Sequence, residues 1–276
     1  MMSITPYASA GERAGRFGFY ALCGLIFAFL VAPLLAIMPL SFNAGSFLTY
    51  PLAGYSLRWY EQLIGSQSWL TAFRNSVLVA LSVTGLATTL GTLAALALAR
   101  SSARLKPALV ALLLAPMFIP VIVVAVATYY LYAPLGLANS YFGLVLAHTT
   151  LAAPLVVIVM HAALRGFDGS LLRAGASLGA APAMVFFRIL LPLLAPGVIA
   201  SAVLAFVTSF DEIVMALFLA GVGQKTLPLK MYEGVRDEID PTITAAATVL
   251  IVISVGLLTA VEMLRRRRER LYGRAR

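Results

Sequence analysis

The sequence predicts an all-α membrane protein with six transmembrane helices, and three observations support this fold class. Of the 276 residues, 61% are apolar and only 11% are charged, whereas a soluble domain carries about 25% charged residues. Six apolar runs are each long enough for the roughly 20 residues that a helix needs to cross the hydrocarbon layer. The basic residues also collect in alternate connecting segments, as they do in a chain that crosses a membrane repeatedly.

The six runs divide the chain into a short N-terminal segment (1–16), a transmembrane domain (17–264) and a basic tail (265–276). The first run is longer than the apolar core of a cleavable signal peptide, which is about 7–15 residues, and no small-residue cleavage site follows it. We therefore expect the first run to be retained as a span. In chain order, the predicted spans are 17–42, 70–99, 108–133, 141–164, 193–220 and 242–264.

Charge predicts the orientation of these spans. The N-terminal segment, 100–107, 165–191 and the C-terminal end together carry 15 basic and 4 acidic residues, whereas the opposite side carries five of each. Because basic residues are retained in cytoplasmic loops, we expect both termini in the cytoplasm. Four arginines, 265–268, directly follow the last run. We interpret them as an anchor on anionic lipid headgroups rather than as a nucleic-acid patch.

Several classes of function lack the residues that they need. Cys23 is the only cysteine, which excludes an internal disulfide and a cysteine-based metal site. His148 and His161 lie thirteen residues apart, or about 20 Å along a helix, so one straight helix cannot bring them to a shared ion. The nearest match to a phosphate loop, 221–226, has Gln224 where that motif requires glycine. The sequence therefore predicts a non-enzymatic chain with no cofactor of its own.

The loop 165–191 is too polar at its start to span a membrane and too apolar to be a simple linker. Asp168 or Ser170 can accept a backbone N–H and begin a short helix, Gly179 can end it, and Pro182 can begin a second one. Helical spacing places four residues on one face, namely Leu171, Leu172, Gly175 and Leu178. This small and apolar face either docks another protein or folds back onto the transmembrane bundle.

The same loop resembles one in the permease subunits of bacterial ABC importers. Their pattern is Glu-Ala-Ala, three residues, Gly, nine residues and Ile-x-Leu-Pro; this chain has Arg173-Ala174-Gly175, Gly179 and Ile189-Leu190-Leu191-Pro192 in that register. The resemblance implies a coupling helix that sits in a groove on the ATP-binding subunit. Arg173 replaces the usual Glu, so either the partner groove differs or this position faces solvent. The resemblance assigns the contact to Arg173, Ala174, Gly175, Leu178, Gly179, Ala180, Ile189, Leu191 and Pro192.

Five further stretches resemble permeases of the spermidine/putrescine type, and more narrowly the second of the two permeases that such systems often encode. They are 55–64, 115–128, 143–150, 204–221 and 226–241. The resemblance implies the fold of a type I importer permease in a bacterial inner membrane. It also implies partners: a second permease in a heterodimer, a dimer of subunits that bind the ATP, and a periplasmic binding protein.

Asp211 and Glu212 lie within the apolar run 203–220. A carboxylate in the middle of a membrane is costly, and such residues usually face a cavity on a transport path. Tyr129 and Tyr130 of the third run can stabilise a cationic amine by cation–π contact. We interpret these four residues as the candidate substrate path, and Asp211 also matches the acid of a Ser-Phe-Asp pattern in the permeases that the chain resembles. Alternatively, one acid pairs with a basic residue or backbone donors of the partner permease.

The outer loop 221–241 mixes basic and acidic residues. It either contacts a periplasmic binding protein or is a solvated loop with local ion pairs of little energetic value. Together these observations predict ATP-driven import with polyamines as the cargo. Two alternatives remain: the same importer carrying another small solute, such as an amino-acid derivative, a phosphonate or an anion, and a stand-alone ion-coupled carrier or channel. The acids in the fifth run count against an anion, and the loop motif counts against a carrier.

Overall fold

The computed structural model describes residues 10–100, 106–166, 168–237 and 241–273. The chain divides into two compact units, Met1–Ser66 with Gly234–Arg276 and Gln67–Glu233. The described residues form twelve α-helices: α1 (Ala10–Leu40), α2 (Arg58–Gly65), α3 (Gln67–Arg100), α4 (Lys106–Phe118), α5 (Val121–Tyr132), α6 (Tyr141–Arg165), α7 (Ser170–Ser177), α8 (Pro182–Val185), α9 (Leu191–Phe210), α10 (Val214–Leu219), α11 (Leu227–Asp237) and α12 (Thr242–Gly273).

In the first unit, α12 packs against both α1 and α2. The loop between α1 and α2 is organised around the buried side chain of Asn43. Its Oδ1 accepts the N–H groups of Gly45 and Ala53, each at 3.1 Å, and its Nδ2 donates to the carbonyl of Phe47 at 2.9 Å. The indole N–H of Trp59 donates to the Asn43 carbonyl at 2.7 Å. These bonds satisfy the buried amide and give the loop a defined conformation.

The core of the second unit is formed by α3, α6 and α9, each of which packs against the other two. Glycines allow the closest approaches. A Cβ added to Gly91 on α3 would lie 2.7 Å from the Cβ of Val156 on α6, and one added to Gly197 on α9 would lie 2.9 Å from the Cβ of Ala163. Small residues serve this purpose in membrane proteins, where association depends on close packing rather than on exclusion of water.

Four described helices are long and apolar enough to cross a membrane: Gly15–Leu40, Gln67–Ala99, Tyr141–Arg165 and Pro182–Phe210. They correspond to the first, second, fourth and fifth predicted spans. The sixth predicted span lies on α12, whose apolar part among the described residues is Thr242–Gly256. A total of six spans therefore remains a prediction. Predictions for 1–9, for 274–276 and for the side chains of the arginines at 265–268 lie outside the described residues.

The third predicted span is sharply bent. Helices α4 and α5 meet at 104° across a two-residue break, and together they would count as a fifth span. Pro120 lies in the break and precedes the first residue of α5. Proline lacks an N–H and disfavours helical geometry in the residue before it, so a continuous helix is interrupted at this point. The predicted third span, 108–133, is therefore formed by two helices rather than by one.

The fifth predicted span also differs from the expectation of a continuous helix over 193–220. Helix α9 ends at Phe210, residues 211–213 are not helical, and α10 begins at Val214. Asp211 and Glu212 thus lie in a break between two helices rather than inside one. Irregular backbone at membrane depth is tolerated where protein or a watery cavity surrounds it.

The start of the same helix lies earlier than predicted. Pro182 occupies the first turn of α8, as expected, but α8 continues through a π-helical segment, Phe186–Leu190, directly into α9. The N–H of Leu191 bonds to the carbonyl of Phe186, five residues back. The next residue, Pro192, has no N–H group, so the helical hydrogen bonds change here from a four-residue to a five-residue spacing. The predicted second short helix is therefore the first turn of the long one.

Candidate substrate path and coupling surface

The two acids at the α9–α10 break have different surroundings. Oε1 of Glu212 accepts the backbone N–H groups of Val214 at 2.7 Å and Met215 at 3.0 Å. These are donors at the start of α10 that have no partner within the helix. The carboxylate of Asp211 is exposed and makes no hydrogen bond or ion pair with any described residue. Glu212 therefore stabilises the backbone, and Asp211 is left free to meet a ligand or another chain.

The candidate tyrosines lie on α5, which packs against α10. The rings of Tyr129 and Tyr130 meet edge to face, with centroids 5.9 Å apart, and Tyr130 is 73% exposed. The fold therefore brings the helix that carries the tyrosines against the helix that follows the two acids. No hydrogen bond, ion pair or ring contact within the described residues joins either tyrosine to Asp211 or Glu212.

A contact that sequence analysis missed lies beside this break. His148, on α6, is only 1% exposed, and its Nδ1 lies 3.2 Å from the carbonyl oxygen and 3.1 Å from the Oγ of Ser209. Ser209 belongs to the last turn of α9, two residues before Asp211. The sequence shows that His148 and His161 cannot share an ion on one straight helix, but nothing in the local sequence links His148 to a residue 61 positions away.

The first short helix predicted in the loop 165–191 is present as α7. Asp168 precedes it: Oδ1 accepts the N–H of Ser170 at 2.8 Å and Oδ2 accepts its hydroxyl at 2.6 Å. These two hydrogen bonds from Ser170 lower the pKa of Asp168, and the nearby charge of Arg173 acts in the same direction. Gly179 follows the helix with a φ of +79° and donates its N–H to the carbonyl of Ala176 at 2.9 Å. Gly179 therefore ends the helix as expected.

The predicted apolar face of α7 is divided between two directions. Gly175 is buried, and an added Cβ would lie 2.6 Å from Cδ1 of Ile189 in the π-helical segment. Leu172 also packs against the core. Leu171 and Leu178 are exposed, Leu178 by 88%. One part of the face thus packs back onto the chain, and the other part has no partner among the described residues; docking at the exposed part stays a prediction.

Arg173 is exposed. Beside α7 lies a pocket of about 270 Å³. Its lining is mostly apolar and consists of Leu172, Ala176, Ala180, Pro182, Val185, Phe186 and Leu190. Of the other residues that the motif assigns to the contact, Ala174, Gly179 and Pro192 are exposed, and Ala180, Ile189 and Leu191 are partly buried.

The outer loop is held against the beginning of α3. The side-chain amide of Asn75 donates to the carbonyls of Gly223 at 3.0 Å and Lys225 at 2.9 Å, and Tyr141 donates its hydroxyl to Oδ1 of Asn75 at 2.8 Å. Nζ of Lys225 lies 2.8 Å from Oε1 of Glu233. The part of this loop that the structure describes therefore has a defined conformation with one ion pair, and its contact with a binding protein stays a prediction. Residues 238–240 of the predicted loop lie outside the described residues.

These features were compared with known protein families. The profile of the family described as binding-protein-dependent transport system inner membrane component matches residues 87–270, about two thirds of the chain. The chain belongs to this family. The matched region contains the core helices α6 and α9, the α7 loop and the break at Asp211. The protein is accordingly a transport permease subunit and not an enzyme.

Curated relatives extend the similarity over most of the permease. It is 33% identical over 244 residues to the spermidine/putrescine transport system permease protein PotC of Haemophilus influenzae, covering 88% of this chain and 94% of PotC. It is 34% identical over 239 residues to the putrescine transport system permease protein PotI of Escherichia coli K12, covering 84% of each. It is also 35% identical over 231 residues to the molybdenum transport system permease protein ModB of Mycobacterium bovis, covering 77% of this chain and 87% of ModB.

A solved structure supports the same fold. One chain in the crystal structure of a bacterial ABC transporter involved in the import of the acidic polysaccharide alginate superposes with a TM-score of 0.74. The match covers 95% of the permease and 99% of that chain at 13% sequence identity. The permease therefore has the all-helical fold of an ABC importer subunit, in a multi-pass inner membrane protein.

Proposed function

We propose that this permease belongs to an ATP-driven importer that moves polyamines, such as putrescine and spermidine, from the periplasm to the cytoplasm. The observation that carries the proposal is the exposed carboxylate of Asp211, which has no partner among the described residues although it interrupts an apolar helix. An uncompensated charge at membrane depth is expensive, and such residues usually mark a substrate path. A polyamine carries several ammonium groups, each of which can neutralise this acid during passage.

The neighbouring groups suit a cationic cargo. Glu212 uses its carboxylate on the backbone of α10, so it contributes negative potential without being a free ligand. Tyr130 presents an exposed ring on α5, and aromatic faces attract ammonium groups. The similarity to PotC, a spermidine/putrescine permease, and to PotI, a putrescine permease, also favours a polyamine as the cargo. We assign Asp211 the direct contact with the cargo, and Tyr129 and Tyr130 a guiding contact.

ModB has a similar percentage identity, although over a smaller share of the chain than PotC or PotI, so percentage identity alone does not determine the cargo. An oxyanion would meet the carboxylate of Asp211 with like charge, which raises the free energy of its passage in a medium of low dielectric constant. The free acid therefore favours a cation over an anion. If Asp211 instead pairs with a basic residue of a second permease, replacing Asp211 by a neutral residue should reduce the amount of assembled complex but not the uptake by each assembled complex.

We further propose that α7 is the coupling helix and that it contacts an ATP-binding subunit. The exposed Leu178 and the adjacent apolar pocket of about 270 Å³ support this assignment, since an unpartnered apolar patch on a loop is a docking surface. In this arrangement α7 and both termini face the cytoplasm, α12 is the sixth span, a second permease completes the path, and the outer loop meets a periplasmic binding protein.

ATP-dependent uptake by the complete reconstituted complex tests the proposed cargo. Labelled putrescine and spermidine are offered with an excess of unlabelled polyamines, amino acids, phosphonate or molybdate. We expect only polyamines to compete. ATP-dependent uptake of labelled molybdate together with no ATP-dependent uptake of either labelled polyamine would keep the importer and exclude the polyamine. Uptake without any ATP-binding subunit would exclude the importer and favour an ion-coupled carrier.

A further inference from the structure

A buried histidine lies where the fifth predicted span breaks. Helix α9 ends at Phe210, and the N–H of Asp211 still bonds to the carbonyl of Val207. In a continuous helix the carbonyl of Ser209 would accept the N–H of Ile213, four residues later. The chain leaves the helix before that residue, so the Ser209 carbonyl loses its regular partner.

His148 supplies the missing donor. Its Nδ1 lies 3.2 Å from the Ser209 carbonyl oxygen. In one tautomer Nδ1 carries the proton and donates to this carbonyl; in the other, Nδ1 accepts the Ser209 hydroxyl, whose oxygen lies 3.1 Å away, and Nε2 carries the proton. Nε2 is buried and has no partner among the described residues. A buried N–H without a partner is rarer than a buried acceptor without one, so we assign the proton to Nδ1, which donates it to the backbone at the break.

We infer that His148 is a positioning residue for Asp211: it keeps the α9–α10 break open and thereby presents the Asp211 carboxylate. Without the donor, the Ser209 carbonyl would be a buried, unpaired acceptor, which the backbone avoids. The nearest remedy is to extend α9 by bonding to the N–H of Ile213. Residues 211–213 would then become helical, and the direction of the Asp211 side chain would change.

The effect of His148 on uptake rests on the proposed substrate path. Its effect on the conformation of the α9–α10 break can be tested without any cargo. Cys23 is the only cysteine, so Asp211→Cys in a Cys23→Ser background places one thiol at the break. The assembled complex is treated with a water-soluble thiol reagent, and the labelling rate is measured. We expect His148→Leu, which removes the donor, to slow labelling about tenfold, because losing one buried hydrogen bond shifts a conformational equilibrium by a factor of this size.

Two matched variants separate the hydrogen bond from general packing. His148→Asn places an amide N–H near the position of Nδ1 and should restore labelling to within about twofold of the parent. His161→Leu makes the same substitution on the same helix, at a histidine whose Nδ1 is buried without a partner, and should leave labelling unchanged. Equal labelling in the His148→Leu and His161→Leu complexes would overturn the inference.

If His148→Leu prevents assembly, His148→Gln takes its place, since glutamine is polar but carries its N–H one bond farther from the helix. Labelling that stays at the parent rate in His148→Gln would likewise overturn the inference. With Asp211 restored, His148→Leu and Asp211→Asn should reduce uptake non-additively, because one acts through the other. Slowed labelling with normal uptake in Asp211→Asn would retain the positioning role and reject the proposed path.

Discussion

Oε1 of Glu212 accepts the backbone N–H of Val214 at 2.7 Å, and the same oxygen accepts that of Met215 at 3.0 Å. The first N–H groups of a helix lack partners within it, so this side chain completes the start of α10. Asp211, the preceding residue, makes no such contact among the described residues. One acid of the pair therefore holds the backbone of the break, and the other is available to a ligand.

Removing the acceptor at Glu212 should destabilise the permease. Glu212→Leu leaves two helix-start donors unpaired, and the loss of a cap of this kind costs about 1 kcal/mol. Glu212→Gln retains a carbonyl oxygen in the same place and should cost much less. Thermal unfolding of the purified complex in detergent measures the difference. A Tm for Glu212→Leu equal to that of Glu212→Gln would show that the carboxylate does not support α10.

The contact between α3 and α6 predicts opposite effects at two glycines of one helix. A Cβ on Gly91 would lie 2.7 Å from the Cβ of Val156 and 3.1 Å from the carbonyl of Ala153, whereas one on Gly85 would meet nothing within 4 Å. Gly91→Ala should therefore lower stability by about 1–3 kcal/mol through overpacking. Gly85→Ala should raise it by up to about 1 kcal/mol because alanine favours helix. Matching Tm shifts for the two variants would contradict this packing.

Gly179 should tolerate alanine poorly for reasons of backbone conformation rather than space. Its φ is +79°, and an added Cβ would meet nothing within 4 Å. An L-residue in this region costs about 1–2 kcal/mol, so Gly179→Ala should loosen the end of α7 and reduce co-purification of the ATP-binding subunit. Gly179→Leu, which adds bulk at the proposed docking surface, should abolish uptake while membrane insertion persists.

Gly223→Ala is the control for this experiment. Gly223 also has open space around it, but its φ is not in the left-handed region. We expect Gly223→Ala to leave both co-purification and uptake unchanged. Normal uptake in Gly179→Leu would argue against docking at α7.

The exposed Leu178 should be an anchor for the ATP-binding subunit. Leu178→Glu adds a charge at a site that is 88% exposed, so the permease should fold normally. Loss of a central apolar anchor should weaken association about tenfold, since such anchors commonly contribute more than 1 kcal/mol. Val222→Glu on the outer loop, at a residue that is 89% exposed, provides the matched control. Equal recovery of the ATP-binding subunit with both variants would place the contact elsewhere.

Much of the helical framework could be predicted because it depends on local composition. The runs that became α1, α3 and α6 are continuous and apolar, so length alone indicates helices. The C-terminal end of α7 was predictable as well, since Gly179 adopts a positive φ. At the other end the capping residue is Gly169 rather than Asp168 or Ser170, although Asp168 accepts the N–H of Ser170. These signals act within a few residues of where they lie in the sequence.

The break in the fifth span could not be predicted from its composition. Residues 203–220 are apolar apart from the acids and a few small polar side chains, and nothing local requires the helix to stop at Phe210. The donor that compensates for the break, His148, lies 61 residues away. Its role depends on the packing of α6 against α9, which is a long-range property of the fold. The Ser-Phe-Asp pattern already favoured Asp211 over Glu212, but the different surroundings of the two acids became known only from the structure.

The most direct test of the central claim compares two neutralised acids in the reconstituted importer. Asp211→Asn and Glu212→Gln each remove one negative charge, and the second retains an oxygen that can accept the N–H groups of Val214 and Met215. ATP-dependent putrescine uptake is measured at equal levels of assembled complex. We predict that uptake falls at least about tenfold in Asp211→Asn, on the scale of one lost charge contact, and changes little in Glu212→Gln. Normal uptake by the Asp211→Asn complex would contradict the assignment of Asp211 to the substrate path.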